Sequence, residues 1–464
     1  MDRSTEPRLR SRIALALGAV VVVLMGMGPR AFAEEEAPSR EEAKRAAAAD
    51  AAAFAERVNK AIDRGATWLL GTQKKDGAFP GFSEDMGPRT YSIMEPGVNA
   101  LVLYTLAHCG YTIEDKRLKR CLEFCRKHYS GSKDSIDLKG SGNLTIYVAS
   151  TLIVALDKLY RGAPKVVPGR KPDRYGNPAP PKPLKCKYPA SIKRWIAEMV
   201  DFIVESQHES GGWRYPGNPL GAEEGETDIS NVQYALLALE VANECGIKVP
   251  KETWSKAAAY LIAAQEDEGL EVELRRLNPA WEPGDTKTPK FVAAGQTQAR
   301  GWTYMPGQQA YATASMTCAG ITCLALLKER LWVAGALDPK TRKGIDAALV
   351  DGLAWLADTF TVENNVDGTG TAQMWHYYYL YGLERTGAKT GVTYIGEHDW
   401  YREGAEHLLA AQEKDGGWKE ADGQERPADS TELATTQTCF ALLFLKRTTR
   451  KPAIPMTPPV LTGE

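Results

Sequence analysis

The sequence lacks an excess of charge of either sign. Its 464 residues contain 57 Lys and Arg against 59 Asp and Glu, a formal net charge of −2. Proteins that bind nucleic acid or an anionic membrane surface usually carry a basic excess, so we predict no nucleic-acid partner. With 43% hydrophobic residues the chain can bury one large core or two ordinary ones, which excludes a disordered or fibrous protein.

Long uncharged apolar runs are also missing, except near the start of the chain. Residues 13–28 form one such run, which follows four arginines between residues 3 and 12 and precedes Ala31-Phe32-Ala33. This order is typical of a signal peptide at 1–33 with cleavage after Ala33. The alternative is an uncleaved anchor, although the run is short for a membrane span. We expect an exported protein, periplasmic or extracellular, without a stable membrane span after cleavage.

Cysteines are few. The eight in the chain all follow Ala33 and are too few to form a disulfide scaffold in a protein of this size. Cys318 and Cys323 have neither the Cys-x-x-Cys spacing of a zinc or redox site nor the spacing of one helix face. We therefore predict mainly buried thiols, no metal site and no cofactor.

What the sequence does contain is a repeated turn. In the stretches 69–79, 204–213, 262–269 and 409–418 a helical pattern ends at a Gln and continues into a Gly turn. In three of them an aromatic residue follows six positions after the Gln, and a helix rich in Ala and Leu comes after each turn. The motif residues are Gln73, Gln207, Trp213, Gln265, Gln412 and Trp418. The repeated unit is a helical hairpin.

Six hairpins fit into the chain. First helices, each with a polar face, are predicted near 54–73, 115–129, 191–207, 252–266, 343–360 and 401–413. Second helices, apolar almost all round, are predicted near 95–108, 143–160, 229–245, 313–328, 372–386 and 432–446. This contrast is expected where one ring of helices encloses another. We predict an all-α fold, an α6/α6 toroid over residues 54–447; the alternative is an open solenoid, whose ends need polar capping repeats.

Two segments interrupt the repeat and two flank it. Residues 161–190 are basic and rich in proline, which predicts an extended connector. Residues 267–312 are predicted to be a long inserted loop between Gln265 and its delayed aromatic turn. Residues 34–53 are an Ala- and Glu-rich lead-in, and 448–464 form a C-terminal tail.

The Gln-x-x-x-Gly-Gly-Trp turns at Gln207 and Gln412, with degenerate copies at Gln73 and Gln265, resemble the QW-type repeats of the terpenoid cyclase and protein prenyltransferase superfamily. The resemblance covers residues 54–447. It implies a toroid in which the motif Gln and Trp residues are structural and tie successive helices together. The Asp-x-Asp-Asp acid of squalene-hopene cyclases, the Asp-x-Cys zinc pair of prenyltransferase β subunits and the Cys-Gly-Glu-Gln thioester of complement-type toroids are absent. We therefore expect neither squalene cyclisation nor a prenyltransferase zinc site.

In such a ring the inner helices run parallel, and their N-termini gather at one mouth, where the helix dipoles favour an anionic group. The candidate catalytic residues there are Asp228, His376 and Glu432, and the candidate ligand-binding residues are Tyr215, Tyr304, Trp375 and Tyr377. A carboxylate on an apolar rim can act as an acid or base, but Asp228 and Glu432 can equally belong to ordinary helix starts. His376 is either a proton shuttle or a hydrogen-bonded core histidine.

The aromatic string at 375–381 has several interpretations. It could stack on a sugar, stabilise a carbocation through its ring faces or fill the ring. Three consecutive tyrosines cannot all face the same way.

Three functions stay open at this point. The first is a terpenoid-cyclase-like or prenyltransferase-like protein that binds a hydrophobic, polyprenyl or isoprenoid ligand in the toroid, with or without chemistry. The second is an exported carbohydrate-active lyase or hydrolase, which needs two carboxylates facing each other across an open cleft. The third is a noncatalytic interaction scaffold, which predicts an interior plugged by side chains or by residues 267–312. The ligand would be a hydrophobic or anionic small molecule.

Overall fold

The computed structural model describes residues 40–81, 84–85, 90–91, 95–132, 135–138, 145–161, 188–214, 227–283, 285, 287–419 and 431–449. The predicted signal peptide, nearly all of the connector at 161–190 and the tail beyond residue 449 lie outside these residues, as does Tyr215.

Helices dominate the described chain. They are α1 Arg40–Gly71, α2 Glu95–His108, α3 Lys116–His128, α4 Thr145–Tyr160, α5 Ala190–Glu205, α6 Ile229–Glu244, α7 Lys251–Ala263, α8 Ala314–Val333, α9 Pro339–Asp358, α10 His376–Thr390, α11 Trp400–Ala411 and α12 Thr431–Lys446. From Arg40 onward the Ala- and Glu-rich lead-in is continuous with α1, whose early residues are mostly exposed.

The even-numbered helices form a closed inner ring. Each of α2, α4, α6, α8, α10 and α12 contacts the next, and α12 contacts α2. The odd-numbered helices pack outside against them. The predicted α/α toroid is thus confirmed.

Burial explains why the two kinds of helix differ in sequence. The outer helix α5 buries one stripe at helical spacing, which consists of Ile192, Trp195, Ile196, Met199, Val200 and Ile203. The inner helix α8 is buried at every position from Ala314 to Trp332. A helix enclosed on all sides needs apolar residues around its whole circumference, whereas an outer helix needs them on one face.

The first and last hairpins close the ring against each other. Helix α1 packs on both α11 and α12. The Arg57 guanidinium binds the Glu406 carboxylate, and Arg402 binds Asp50 at 2.9 Å. Closure therefore replaces the polar capping repeats that an open array requires.

The inner helices α4, α6, α8 and α10 run parallel. Near their starts Tyr147 of α4 meets Ser230 of α6, and near their ends Arg330 of α8 meets Glu244 of α6. Between these levels Thr386 of α10 donates to the Cys318 carbonyl of α8. Their N-termini consequently gather at one end of the ring.

Short strands were not predicted. They are β1 Glu84–Asp85, β2 Thr90–Tyr91, β3 Tyr129–Ser132, β4 Ser135–Leu138, β5 Leu270–Leu277, β6 Phe291–Ala299, β7 Asn365–Val366 and β8 Ala372–Gln373, which pair in order as four antiparallel hairpins. The prediction of a loop over 267–312 is corrected, because its β5 segment alternates apolar and charged residues with the period of a strand. The prediction of α10 from residue 372 is also too early, since β8 occupies Ala372–Gln373.

The cysteines are mostly buried thiols. Among the described residues, Cys121, Cys125, Cys318, Cys323 and Cys439 are buried and free, and Cys109 is free and partly buried. Cys245 differs, because it is disulfide-bonded. None of the described helices combines the length and apolar composition needed to cross a membrane.

Candidate functional site

The motif glutamines join neighbouring outer helices. In the four repeats that carry the motif, the Gln Nε2 donates to a carbonyl of its own turn and to a carbonyl of the next outer helix. The first acceptors are Gly77, Gly211, Arg300 and Gly416, and the second are Arg117, Thr253, Ala348 and Ala61, all at 2.8 to 3.1 Å. The bond from Gln412 to Ala61 links the last repeat to the first.

The turn itself requires glycine. Gly211 and Gly416 have φ values of +100° and +102°, in the left-handed region. A Cβ at these positions would lie 2.3 Å from the Lys256 carbonyl oxygen and 2.8 Å from that of Arg64. The close approach of the turn to the next outer helix thus depends on the missing side chain.

The motif tryptophans are fully buried and held by their indole N–H groups. Trp213 donates to the Ile203 carbonyl at 2.7 Å, and Trp418 donates to that of Leu408 at 2.8 Å. Trp302 makes the equivalent bond to Leu261 at 2.9 Å, although β5 and β6 separate it from Gln265. These residues hold hairpins together and offer no group to a ligand.

Asp228 is the N-cap of α6. It is fully buried, and Oδ1 accepts from the Asn231 backbone N–H at 2.8 Å and from the Ser230 hydroxyl at 2.6 Å. Oδ2 accepts from the Asn231 amide and lies 3.6 Å from Arg214 Nη1. Burial raises the pKa of Asp228, while these hydrogen bonds oppose the shift. Both carboxylate oxygens are therefore occupied by neighbouring groups of the protein.

Through Ser230 this cap connects to a tyrosine on the neighbouring inner helix α4. The Tyr147 hydroxyl lies 2.5 Å from Ser230 Oγ. Because Ser230 donates its proton to Asp228, Tyr147 is the donor to Ser230. Two successive hydrogen bonds thus lead from the partly exposed phenol of Tyr147, through Ser230, to the buried carboxylate of Asp228.

The other predicted residues are spread around the start of α10 and the loop before α8. His376 is buried, and its Nε2 lies 2.9 Å from the Val362 carbonyl oxygen. Tyr377 is buried beside His376, and Trp375 is 38% exposed in a left-handed conformation. Tyr304 is partly buried, and its carbonyl accepts from the Ile229 N–H at the start of α6.

Glu432 lies in the first turn of α12, partly exposed. Asp228, His376 and Glu432 thus stand at three different helix starts, and the contacts described bring none of them together. Within the described residues no group of three or more His, Cys, Asp or Glu is arranged to hold a metal ion.

Sequence reasoning missed an aromatic group inside the ring. This tyrosine cluster consists of Tyr104, Tyr147, Tyr234, Tyr378 and Tyr381, from α2, α4, α6 and α10. Tyr147 and Tyr234 meet edge to face at 4.6 Å between ring centroids, and Tyr234 stacks on Tyr378 at 6.3 Å. Tyr381 lies beside Tyr104 and stacks on Phe440 of α12 at 5.8 Å. Side chains from five of the inner helices therefore meet here.

Of the three consecutive tyrosines, Tyr378 faces this cluster, not Tyr377. The Tyr378 hydroxyl donates to Gln233 Oε1 of α6 at 2.6 Å, while the Tyr379 hydroxyl donates outward to the Thr361 carbonyl. The start of α10 at His376 fixes this orientation, because each residue turns the side chain by about 100°.

The other end of the inner ring is closed by charges. This charged end consists of Asp157, Arg161, Glu240, Glu244, Arg330 and Lys389. Lys389 Nζ reaches Glu240 at 2.5 Å across the ring from α10 to α6. Arg161 binds Asp157 at 2.8 Å and Glu244 at 2.9 Å. Each of these charges has an oppositely charged neighbour, although Arg330 Nε has no hydrogen-bond partner among the described residues, so this end leaves little for an anionic ligand to bind.

No protein-family model matches this sequence, and no curated protein matches it. Solved structures are similar in fold. An α-1,6-mannanase, GH76A of Salegentibacter sp. HEL1_6, has a TM-score of 0.50 and 9% identity over 84% of this chain and 99% of its own. The type II terpene cyclase MstE from Scytonema has a TM-score of 0.48 and 11% identity over 85% and 99%. The GH76 α-mannanase of Bacteroides thetaiotaomicron has 0.47 and 9% over 84% and 96%. At such identities the likeness concerns the fold alone.

Proposed function

We propose that this protein binds a hydrophobic small molecule, of the isoprenoid kind, inside its helical ring. The observation that carries the proposal is the partial exposure of Tyr104, Tyr147 and Tyr234 on inner helices that are otherwise almost wholly buried. Partly exposed side chains on an inner face line a space within the ring. The exposed part of such a tyrosine side chain offers a ligand an apolar ring surface with a polar hydroxyl at its tip.

The apolar lining continues toward the helix C-termini. Val154 on α4 is also partly exposed, seven residues after Tyr147. On α6, Val241 is partly exposed seven residues after Tyr234, and the partly exposed Leu237 lies between them. A spacing of seven keeps residues on one helix face. The tyrosine cluster and this aliphatic stripe together suit an elongated hydrophobic ligand more than a sugar, whose recognition needs many hydrogen bonds.

Two further features support the proposal. The QW-type turns resemble those of a superfamily that acts on isoprenoid chains. The signal peptide predicted at 1–33 would export the protein, and the disulfide at Cys245 suits an oxidising compartment. The carbohydrate-active alternative lacks such support, because Asp228 is occupied as a buried cap.

The test is a binding titration with farnesol, in which isothermal titration calorimetry measures the affinity. We expect saturable binding that Leu237→Gln weakens about 10-fold by putting an amide into the apolar lining. Leu270→Gln is the matched control, because Leu270 is 69% exposed on β5 and should not affect binding. Far-UV circular dichroism and thermal melts establish that both variants fold.

Two outcomes would overturn the proposal. One is the absence of saturable farnesol binding by the parent protein, or equal binding by the folded Leu237→Gln variant. The other is saturable binding of α-1,6-mannotetraose in a parallel titration with none of farnesol, which would favour the carbohydrate-active alternative.

A further inference from the structure

Arg385 is a buried cation without an anion. It lies on α10 and is 4% exposed, with its guanidinium carbon 3.8 Å from the Tyr381 ring centroid and 5.9 Å from that of Tyr234. Among the described residues no carboxylate lies within 4.0 Å of it. Its neighbour Glu384 instead binds the backbone and the hydroxyl of Thr449. Ring faces attract a cation but do not replace the solvation that it loses on burial.

The other buried cations of the described chain all have carboxylate partners. Lys389, one turn further along α10, binds Glu240 at 2.5 Å. Lys328 binds Asp346 at 2.7 Å, and Arg330 lies 3.4 Å from Glu329 and 3.6 Å from Glu244. The other buried cations are thus paired with carboxylates, and Arg385 is the exception.

Two hydrogen-bond donors beside the tyrosine cluster have no acceptor. They are Arg385 Nη1 and Gln233 Nε2, both buried. Gln233 Oε1 accepts from Tyr378, whose ring stacks on Tyr234, and Tyr234 in turn lies against Arg385. Both donors therefore border the same group of rings. A buried donor without an acceptor costs about 1–3 kcal/mol, and more when it is charged.

We propose that the hydrophobic ligand carries an acidic oxygen group, a carboxylate or a phosphate, which pairs with Arg385 and accepts from Gln233. This inference rests on the proposed function and names the ligand class. It places the anion inside the ring beside α10, not at the mouth where the inner-helix N-termini gather. A planar guanidinium suits either group, because both present two oxygens at matching spacing.

The experiment compares three probes with one tail: farnesoic acid, farnesyl diphosphate and farnesol. We expect at least one acidic probe to bind about 10- to 100-fold more tightly than the alcohol, as hydrogen bonds to charged groups predict. Which acid binds more tightly distinguishes a carboxylate ligand from a phosphate ligand. In Arg385→Met the acidic probes should lose this advantage, while farnesol binding stays within about 3-fold of the parent.

A stability measurement separates this role from a structural one. Replacing an unpaired buried cation with Met should leave the melting temperature of the ligand-free protein unchanged or higher. Lys389→Met is the matched control on the same helix, and it should lower the melting temperature because Glu240 loses its partner. Arg385→Lys keeps the charge and should retain part of the acid preference.

The outcomes are separable. If no probe binds, the proposed function itself fails. If all three probes bind equally, or if Arg385→Met keeps the preference for acidic probes, the ligand is hydrophobic but the inferred pairing of an acidic group with Arg385 is wrong. A melting temperature lowered as much by Arg385→Met as by Lys389→Met would show Arg385 to be structural and would also overturn the inference.

Discussion

The two ends of the inner ring differ in how they treat polar groups. At the charged end Arg161, Glu244, Lys389 and Glu240 satisfy one another across the helices. Around the tyrosine cluster the Tyr147 and Tyr378 hydroxyls are bonded, but Arg385 Nη1 and Gln233 Nε2 are left without acceptors. A protein selected only for stability would pair or remove such donors. The difference teaches that the charged end closes the fold, whereas the region around the tyrosine cluster keeps hydrogen-bond donors that a ligand can use.

The charged end also limits where a ligand can lie. The pair Lys389–Glu240 spans the ring past α8, as does the bond from Tyr378 to Gln233 nearer the helix starts. These two pairs therefore occupy part of the interior next to α8, as the scaffold hypothesis expected. The partly exposed tyrosines and aliphatic residues on α2, α4 and α6 face the remaining part.

Breaking the cross-ring pair should have the largest effect. Glu240→Leu or Lys389→Met leaves one buried charge without a partner, and each should lower the free energy of unfolding by about 3–5 kcal/mol. The double variant Glu240→Leu/Lys389→Met should recover most of this loss, because no charge is then stranded. Urea denaturation of the four proteins measures the cycle. Additive losses in the double variant would contradict a closed ion pair.

A second prediction concerns the pH dependence at Glu384. Burial raises the pKa of Glu384 from an ordinary 4.5 to about 7. Between these pH values the folded protein keeps the proton while the unfolded chain releases it. Stability from this group is therefore full below pH 4.5 and is lost as the pH rises through 7, by up to about 3 kcal/mol.

Glu384→Gln removes this titration. The variant should unfold like the parent at pH 4.5 and be more stable by up to about 3 kcal/mol at pH 8, as thermal melts across the range would show. Glu252→Gln is the control, since Glu252 is exposed on α7. A parent and a variant with parallel pH profiles would mean that folding does not raise the pKa of Glu384.

The fold could be predicted from the sequence because its determinants are local and repeated. Helical periodicity places the inner helices within a few residues, as with α6 at Ile229–Glu244 against a predicted 229–245. The Gln and Gly of each turn have fixed roles, since the amide must reach two carbonyls and the turn must approach the next helix. The hairpin of β5 and β6 was missed, although Leu270, Val272 and Leu274 alternate with charged residues.

The interior could be predicted only in part, because it depends on which side chains meet across the ring. Whether Tyr377 or Tyr378 points inward changes with a shift of one residue in the helix start. Asp228, His376 and Glu432 were chosen for their chemistry near helix starts, but their contacts depend on the neighbouring loops. One signal was available: Arg385 and Lys389 are charged residues within a helix that must be buried, and such residues need partners.

The smallest expected effect is at the N-terminal end of α6, where Asp228 can be tested as a cap or as a charge. Asp228→Ala removes the acceptor for Asn231 and Ser230 and should cost about 1–2 kcal/mol of unfolding free energy. Asp228→Asn keeps an oxygen in the cap position and should cost less than about 1 kcal/mol, because Asn caps helices as well as Asp. Thermal or urea unfolding distinguishes the two.

The matched control for that comparison is Asp338, the N-cap of the outer helix α9, whose Oδ1 accepts from two backbone N–H groups at its exposed helix start. Asn should replace Asp equally well there. If Asp228→Asn costs as much as Asp228→Ala while Asp338→Asn is mild, the negative charge facing Arg214 and Ser230 is what matters at Asp228. The hydrogen bonds from Tyr147 through Ser230 would then end at an ionised carboxylate, and the tyrosine cluster would be connected to a group able to accept a proton.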